Sequence, residues 1–468
     1  MTVAPAPLDL SRPGRYHVVG VGGPGMSAIA LVLAGMGHQV SGSDVHESPV
    51  LDRLRAAGVK VHVGHDPALG RAVDAVTAST AIPRDNVELV AAARAGVAVL
   101  TRAGMLASIC ACAQSLGIAG THGKTTTTSM LTVILDEAGL DPSFVVGGDV
   151  LELGTGARWT GGEWMVVEAD ESDRTHLELP LAGTVLTNVE TDHLDHYGTF
   201  DEIVAGFDRY LAGVDGPKVV CVDDPVAAEL ADRHGAITYG IDGRARYRAV
   251  DAVSEQGSLR FSVRRDGEPL GDLTVPLRGL HNVRNATAAV ALADVMGVPF
   301  EASARALGRF GGVRRRFDVR SRRHGITLVD DYAHLPTEIA AVLEAAATSG
   351  DQWQRIVSVF QPNRFNRMAI LSPEYRDAFV HADVAVITDI YASGTTPIEG
   401  VTGKLVVDAV CDAHPEQRVV WLRERSDLVS FLARELRAGD VCISMGCGDV
   451  ESLPDEVVAR WTAGERTR

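Results

Sequence analysis

The chain has 468 residues, of which 46% are hydrophobic and 22% charged, and carries a formal charge of -17. That length exceeds one ordinary core and points to three domains, and the composition excludes a disordered or fibrous chain. The acidic balance sets the whole-molecule field against nucleic acid and anionic lipid, so an anionic ligand must be held by local basic groups.

The opening MTVAPAPLDLSRPGRY lacks the basic start and apolar run of a secretion signal, and no apolar stretch reaches membrane-spanning length. A cytoplasmic protein without membrane insertion or nucleic-acid partner is expected. Cys110, Cys112, Cys221, Cys411, Cys442 and Cys447 form no CxxC pair and no zinc-spaced cluster. They are expected to be buried free thiols.

From Tyr16 the chain alternates strand-like and helix-like runs: YHVVGVGG, MSAIALVLAGMG, HQVSGSD, VLDRLRAAG and VKVHVG. That alternation predicts a parallel, doubly wound sheet. Within it, VVGVGGPGMS sets Gly20, Gly22 and Gly25 as GxGxxG between a strand and a helix, and Asp44 ends the next strand. Glycines let backbone approach a phosphate, and the helix N-terminus offers free N–H groups and a positive dipole end. The loop suits a nucleotide diphosphate. Taken alone it also fits an NAD-dependent dehydrogenase, or a tight turn that needs glycine for its own geometry.

A second start follows at SLGIAGTHGKTTTTSMLTVILDEAGLD. In AGTHGKTTTT, Gly120 and Gly123 allow the turn, backbone N–H groups can wrap phosphates, Lys124 brings a point charge, and the Thr125 hydroxyl can hold magnesium. Ile118 stands where the common Walker spacing needs its first glycine, so this is the shorter GTxGKT form. A simple dehydrogenase has no need of this second loop. The strand MVVEAD ends at Glu168, where a magnesium ligand is expected. Asp170, Glu171 and Asp173 read as solvated surface. His193, in TNVETDHLDHYG, reads as a cation ligand or as a polar strand-end residue, since magnesium prefers oxygen. The stretch 239–276 alternates like antiparallel strands with EQG and RDG turns, a small sheet attached to the second unit.

After GRFGGVRRRF come ITLVDDYAH, a helix at TEIAAVLEAAAT, RIVSVFQP, DVAVITDIY and DVCISMGCGD. Four strands separated by helices predict a third α/β domain. The boundaries fall near 112 and 317, giving 1–112, 113–316 and 317–468.

Taken in order, GVGGPGMS, SGSD, STAIP, AGTHGKTTTT, VVEADESD, TNVETDHLDHYG, GLHNVRNATAA, RRF, VDDYAH, FQPNR and GCGDV resemble the Mur ligase family over nearly the whole chain. Within it they resemble the branch that joins L-alanine to UDP-N-acetylmuramate. Ser172 favours that branch over the recycling branch for murein tripeptide, which typically has Tyr there. The resemblance implies a Rossmann-like UDP-binding domain, a P-loop ATPase-type central domain with a small antiparallel sheet, and a Rossmann-like C-terminal domain. It implies an ATP- and magnesium-dependent ligase of peptidoglycan precursor synthesis, monomer or homodimer, taking small-molecule substrates and working through an acyl phosphate.

Carried over by motif, Gly22, Gly23, Gly25, Met26, Ser27, Asp44 and Arg102 would hold the UDP-sugar. Gly120, Thr121, His122, Gly123, Lys124, Thr125 and Thr126 would hold ATP, with His281, Asn282 and Asn285 near adenine, Asn282 being otherwise a helix N-cap. Thr125, Glu168 and His193 resemble the metal ligands. Arg316 resembles an arginine that reaches the γ-phosphate, its neighbours Arg314 and Arg315 being solvated, and Asp330 would meet ATP. Tyr332, His334, Arg364 and Arg367 would face the amino acid, His334 as a proton acceptor. The chain departs from the branch at Leu335, Asn363, Phe365, Asn366 and the ASGTT stretch 392–396, all near the presumed amino acid pocket, so the alternative is a Mur-type ligase with a different amino acid or with a recycling or secondary-pathway substrate.

Overall fold

The computed structural model describes residues 7–465, whose strands form three sheets. The first is wholly parallel, from β1 (Arg15–Val19), β2 (Gln39–Asp44), β3 (Lys60–Val63), β4 (Ala75–Ala78) and β5 (Ala98–Thr101), in the order β3-β2-β1-β4-β5. Its order reverses beside β1, and in such sheets the carboxyl ends at the switch point form the ligand crevice. The loop after β1 carries the first glycine cluster.

The second sheet has ten strands: β6 (Gln114–Ala119), β7 (Ser143–Val150), β8 (Thr155–Arg158), β9 (Trp164–Glu168), β10 (Gly183–Leu186), β11 (Lys218–Cys221), β12 (Ile237–Gly240), β13 (Tyr247–Glu255), β14 (Ser258–Arg265) and β15 (Glu268–Val275). Its order is β15-β14-β13-β12-β11-β10-β6-β9-β7-β8. The expected small attached sheet is instead a continuation of the main one, because β13 pairs in parallel with β12. The two hairpin turns follow their sequences: Gln256 and Gly257, then Asp266 and Gly267, all take positive φ, the geometry of the tight turn that matches strand twist.

The third sheet comprises β16 (Asp318–Arg323), β17 (Ile326–Asp331), β18 (Arg355–Phe360), β19 (Val384–Ile387), β20 (Val419–Trp421) and β21 (Asp440–Met445), ordered β16-β17-β21-β18-β19-β20. It has six strands, not the expected four. β16 is an antiparallel edge rich in arginine, and β20 has only three residues, so neither shows the apolar run that marked the others.

The chain divides into two compact units. One runs to Asp251 and adds Phe261–Val275 and Val283–Gly311; the other takes Ala252–Arg260, Pro276–Asn282 and the chain from Gly312. The first unit holds two sheets because the helix Pro24–Gly35 packs on β7 and β8, with Gly35 against Trp159, and Arg53 pairs with Asp149 at 2.7 Å. Between Thr101 and Gln114 the sheet changes while the packing continues. Three cysteines, Cys110, Cys221 and Cys442, are buried as expected; Cys112 and Cys411 are exposed and Cys447 is half-buried, a correction to a uniformly buried set. Among the described residues no helix is long and apolar enough to cross a membrane.

In the second unit Phe360 is fully buried and stacks on Tyr375, ring centroids 5.2 Å apart, with Phe379 at 5.9 Å. Phe360→Ala is expected to cost about 3–5 kcal/mol, read as a lower denaturant midpoint for that unit, and a loss below about 1 kcal/mol would contradict this packing.

Candidate functional site

β6 ends in the turn Gly120–Gly123 and the helix Lys124–Glu137. Gly120 and Gly123 have φ of 127° and 80°, and a methyl group added to either would collide with Thr187 Oγ1 or Asn285 Oδ1. Four successive threonines are weak helix formers, yet Thr125–Leu135 are all buried. Three of the hydroxyls are satisfied inside the helix, Thr128, Ser129 and Thr132 donating to carbonyls four residues earlier. The loop is braced from the far side. Asn188 Oδ1 accepts from His122 N at 2.8 Å, Glu190 N donates to Thr121 Oγ1 at 2.8 Å, and His122 Nε2 lies 3.2 Å from Glu190.

The Lys124 ammonium donates to Gly120 O at 2.6 Å and Thr121 O at 3.1 Å, and pairs with Glu171 at 2.8 Å. Burial works to lower its pKa, but the carboxylates of Glu171, Asp170 and Glu168 outweigh burial and raise it. The acidic turn is therefore not solvated surface, a correction to its reading from sequence. Arg102 pairs with Asp170 at 3.0 Å and Asp173 at 2.8 Å. Although burial opposes ionisation of Asp170, Lys124 and Arg102 hold its carboxyl down at about 2. Glu171 also faces His193, whose Nε2 is 4.0 Å away and 3.1 Å from Asp192. His193 has a φ of 52°, a strained backbone for a side chain at a functional turn.

Glu168 and Thr125 converge on Gly147. A methyl group on Gly147 would collide with Glu168 Oε2 and lie 3.3 Å from Thr125 Oγ1, so the glycine keeps a small oxygen-lined space open. Among the described residues no three His, Cys, Asp or Glu side chains form a metal cage. A hydroxyl and one carboxylate match a cation that keeps most of its waters, as magnesium does.

The same unit carries the first glycine loop. Gly22 N donates to Asp44 Oδ2 at 2.9 Å, and Gly20 N and Val21 N donate to Ser43 O. Gly25 sits under Arg102, whose Nη1 would be 3.2 Å from an added methyl. Gly23 caps the helix, accepting from Met26 N and Ser27 N, and the Met26 side chain is buried in the core, so only its backbone faces the loop. Asn285 stands against Gly123, whereas His281 and Asn282 belong to the second unit. Asn282 is not the helix N-cap: it is the third residue of the helix Leu280–Val295, and its amide nitrogen donates to Arg278 O at 2.8 Å.

In the second unit Arg315 is only 20% exposed, a correction to its expected solvation, while Arg314 is exposed. Arg315 pairs with Asp330 at 3.2 Å and Glu451 at 2.8 Å, donates to Gly446 O at 2.7 Å, and lies over the Tyr332 ring. Arg316 lies over the same ring at 5.2 Å. Asp330 is fully buried. Burial pushes its pKa up to about 7 against the pull of Arg315. His334 Nδ1 faces Glu338 at 3.2 Å and Tyr332 O at 3.1 Å, and Tyr375 donates to His334 O. Arg364, with φ 61°, opens a short helix in which Arg367 donates to Asn363 at 2.9 Å. Arg367, Arg315 and Arg364 all face Cys447, whose thiol burial nonetheless pushes up.

Three family models match the chain in succession: the Mur ligase family catalytic domain at 15–113, the Mur ligase middle domain at 118–293 and the Mur ligase glutamate ligase domain at 315–448. The chain belongs to the Mur ligase family. Among similar proteins, the UDP-N-acetylmuramate--L-alanine ligase of Acidothermus cellulolyticus is 46% identical over 467 residues, covering 97% of each chain. The protein of that name from Bradyrhizobium sp. is 42% identical over 463 residues, 95% of this chain and 98% of its own. The crystal structure of UDP-N-acetylmuramate-alanine ligase MurC from Thermotoga maritima superposes with a TM-score of 0.81 at 27% identity, covering 96% of this chain and all of that one.

In this Mur ligase two of the departures noted in sequence lie inside the fold. Leu335 and Asn363 are each 2% exposed, the first part of the core and the second holding Arg367. Thr395 of the ASGTT stretch accepts from Phe365 N at 3.0 Å and so caps that short helix. The residues that sequence reading missed are the braces Thr187, Asn188 and Glu190, the counter-charge Glu171, and Gly147. A buried ammonium requires a carboxylate, so Lys124 itself was the signal for Glu171. The braces carry no motif.

Gly120→Ala is expected to lower ATP-dependent phosphate release by about a hundredfold or more through the displaced turn, and retention of most of the rate would contradict the close approach to Thr187. A second outcome concerns pH. An aspartate whose folded pKa is raised gives stability that is complete below about pH 4 and is lost as pH rises towards 7. The thermal midpoint of the Mur ligase should therefore lose ground over that interval relative to Asp330→Asn, which lacks the titrating group; equal slopes in both proteins would disprove the assignment.

Proposed function

We propose that this Mur ligase joins L-alanine to the lactyl carboxylate of UDP-N-acetylmuramate, with ATP converted to ADP and phosphate. The observation that carries this reading is identity of 46% and 42%, over nearly the full length, to relatives named for that reaction, on a chain whose Lys124 loop is complete. We assign 1–112 to the UDP-sugar, 113–316 to ATP and 317–468 to the amino acid. The setting is the cytoplasm, where the nucleotide substrates are made.

A lactyl carboxylate oxygen attacks the γ-phosphorus, the bond to ADP breaks, and an acyl phosphate forms. The amine lone pair of alanine then attacks the acyl carbon, phosphate leaves with the former carboxylate oxygen, and the amine gives up a proton. Both steps gather negative charge on oxygen, which fixed cations stabilise before the charge appears. Lys124 and Arg316 take that role. The backbone N–H groups of Gly123–Thr126 wrap the phosphates, those of Thr121 and His122 being taken by Asn188, and Asn285 closes the Gly123 side. His281 and Asn282 serve the adenine end.

Thr125 and Glu168, at the space that Gly147 keeps open, would hold magnesium, and His193, which faces Glu171 and Asp192, would be a further ligand. Bound there, the ion would neutralise charge on the phosphate oxygens. The first loop, Gly22 to Ser27 with Asp44, holds the UDP diphosphate, and Arg102 orders the sugar side. Asp330 acts through Arg315 rather than by touching ligand.

Arg364 and Arg367 grip the alanine carboxylate, a task suited to the two-pronged guanidinium. Tyr332 frames the amine. Nδ1 of His334 faces two acceptors, Glu338 and Tyr332 O, so the ring proton sits there and Nε2 carries the lone pair that takes the amine's proton.

Phosphate release from ATP with UDP-N-acetylmuramate and a panel of amino acids tests the reading. Alanine should give the highest kcat/KM; release with another amino acid alone would overturn the acceptor, and no release with any would overturn the ligase. Lys124→Ala should lose on the order of a hundredfold or more in kcat while keeping its thermal midpoint.

A further inference from the structure

The N-terminal sheet buries a carboxylate that the ligation chemistry leaves unused. Glu88 lies in the first turn of the helix Val87–Arg94, where Asn86 caps the helix by accepting from Glu88 N at 2.9 Å, and its side chain is fully buried. A buried anion is costly unless every oxygen is occupied. Here Oε1 accepts from Asp66 N at 3.0 Å. Oε2 accepts from Ser43 Oγ at 2.6 Å and faces His65 Nδ1 at 3.2 Å and His17 Nε2 at 3.4 Å. His17 is itself fully buried and anchored on its other side to Ser41 Oγ at 2.8 Å. Burial would raise the Glu88 pKa, but His17, Ser43 and the Asp66 amide bring it down to about 2, so the group is ionised at neutral pH.

Of these partners Ser43 is the penultimate residue of β2 and His65 and Asp66 follow β3, while His17 lies mid-strand in the neighbouring β1. Ser43 O accepts from Gly20 N at 2.8 Å and from Val21 N at 3.0 Å, and the next residue, Asp44, accepts from Gly22 N and, through its carbonyl, from Gly64 N. One carboxylate thus fixes the strand end from which the glycine turn hangs. An ionised carboxylate only accepts, which obliges the Ser43 hydroxyl to donate to it and leaves a single arrangement. An amide in its place would bring N–H groups against Ser43 and His65 and permit others.

We propose that Glu88 is a positioning residue that presets the first glycine loop for the diphosphate of the sugar nucleotide without touching it. The inference rests on the reading that this loop receives UDP-N-acetylmuramate. It predicts a selective effect: weaker capture of one substrate, with phosphoryl transfer intact. A merely structural carboxylate would give general loss instead.

The test is steady-state kinetics of the full chain with each substrate varied in turn, alongside calorimetric titration with UDP. Glu88→Gln should raise KM for UDP-N-acetylmuramate about tenfold or more and weaken UDP binding in parallel, while KM for ATP and kcat at saturation stay within about twofold. Glu88→Asp, which keeps the charge, should fall between the two, and Ser43→Ala should move the same constant in the same direction by less. Unchanged KM and UDP affinity in Glu88→Gln, equal loss in every constant, or failure of both Glu88→Gln and Ser43→Ala to fold would overturn the inference. Absence of ligation by the unaltered protein would instead overturn the functional reading, while UDP titration would still report on the loop.

Discussion

A lysine ammonium held at a glycine turn, largely shielded from water, must be neutralised, and the placement of the other charges around the nucleotide loop follows from that requirement. Lys124 pairs with Glu171 and lies in the field of Asp170; Asp170 and Asp173 in turn bind Arg102; Arg102 lies against Gly25 of the first loop. Positive and negative groups alternate from one glycine loop to the other within a single compact unit. Two cations here stand among three carboxylates, so each is neutralised in place and held in position by its partners. The same chain of pairs explains why the EADESD turn is acidic without being surface.

The second unit solves a similar problem with guanidinium groups. Arg315, Arg364 and Arg367 all act electrostatically on Cys447, and each is held by the fold: Arg315 by Asp330, Glu451 and Gly446 O, Arg367 by Asn363, and Arg364 by a strained backbone bonded to Tyr391 O. Arginine stays charged where lysine would lose its proton, so it suits a region this dry. For the carboxylate-binding role proposed for Arg364 and Arg367, forks held in place beforehand would remove ordering cost from the binding step.

Much of this was legible in the sequence wherever one residue type carries one physical demand. Gly120, Gly123 and Lys124 read as a phosphate turn because only that geometry and charge suit one, and the Gln256-Gly257 and Asp266-Gly267 hairpins read from residues that tolerate positive φ. What was hidden depends on distance along the chain. Nothing near Glu171 says that its partner is Lys124, nothing near Asn188 says that it braces His122, and Leu335 looked like a pocket change until its burial showed it to be core. Arg315 and Arg316 are adjacent and chemically alike, and only tertiary packing separates the one clamped by Asp330 from its neighbour. The strands β16 and β20 escaped because an edge strand need not be apolar.

The most direct measurement uses UDP-N-acetylmuramate labelled with oxygen-18 in the lactyl carboxylate, with ATP and alanine, and follows the label by mass spectrometry. If a carboxylate oxygen attacks the γ-phosphorus beside Lys124, each phosphate released should carry one labelled oxygen. Unlabelled phosphate accompanying product formation would contradict activation through an acyl phosphate.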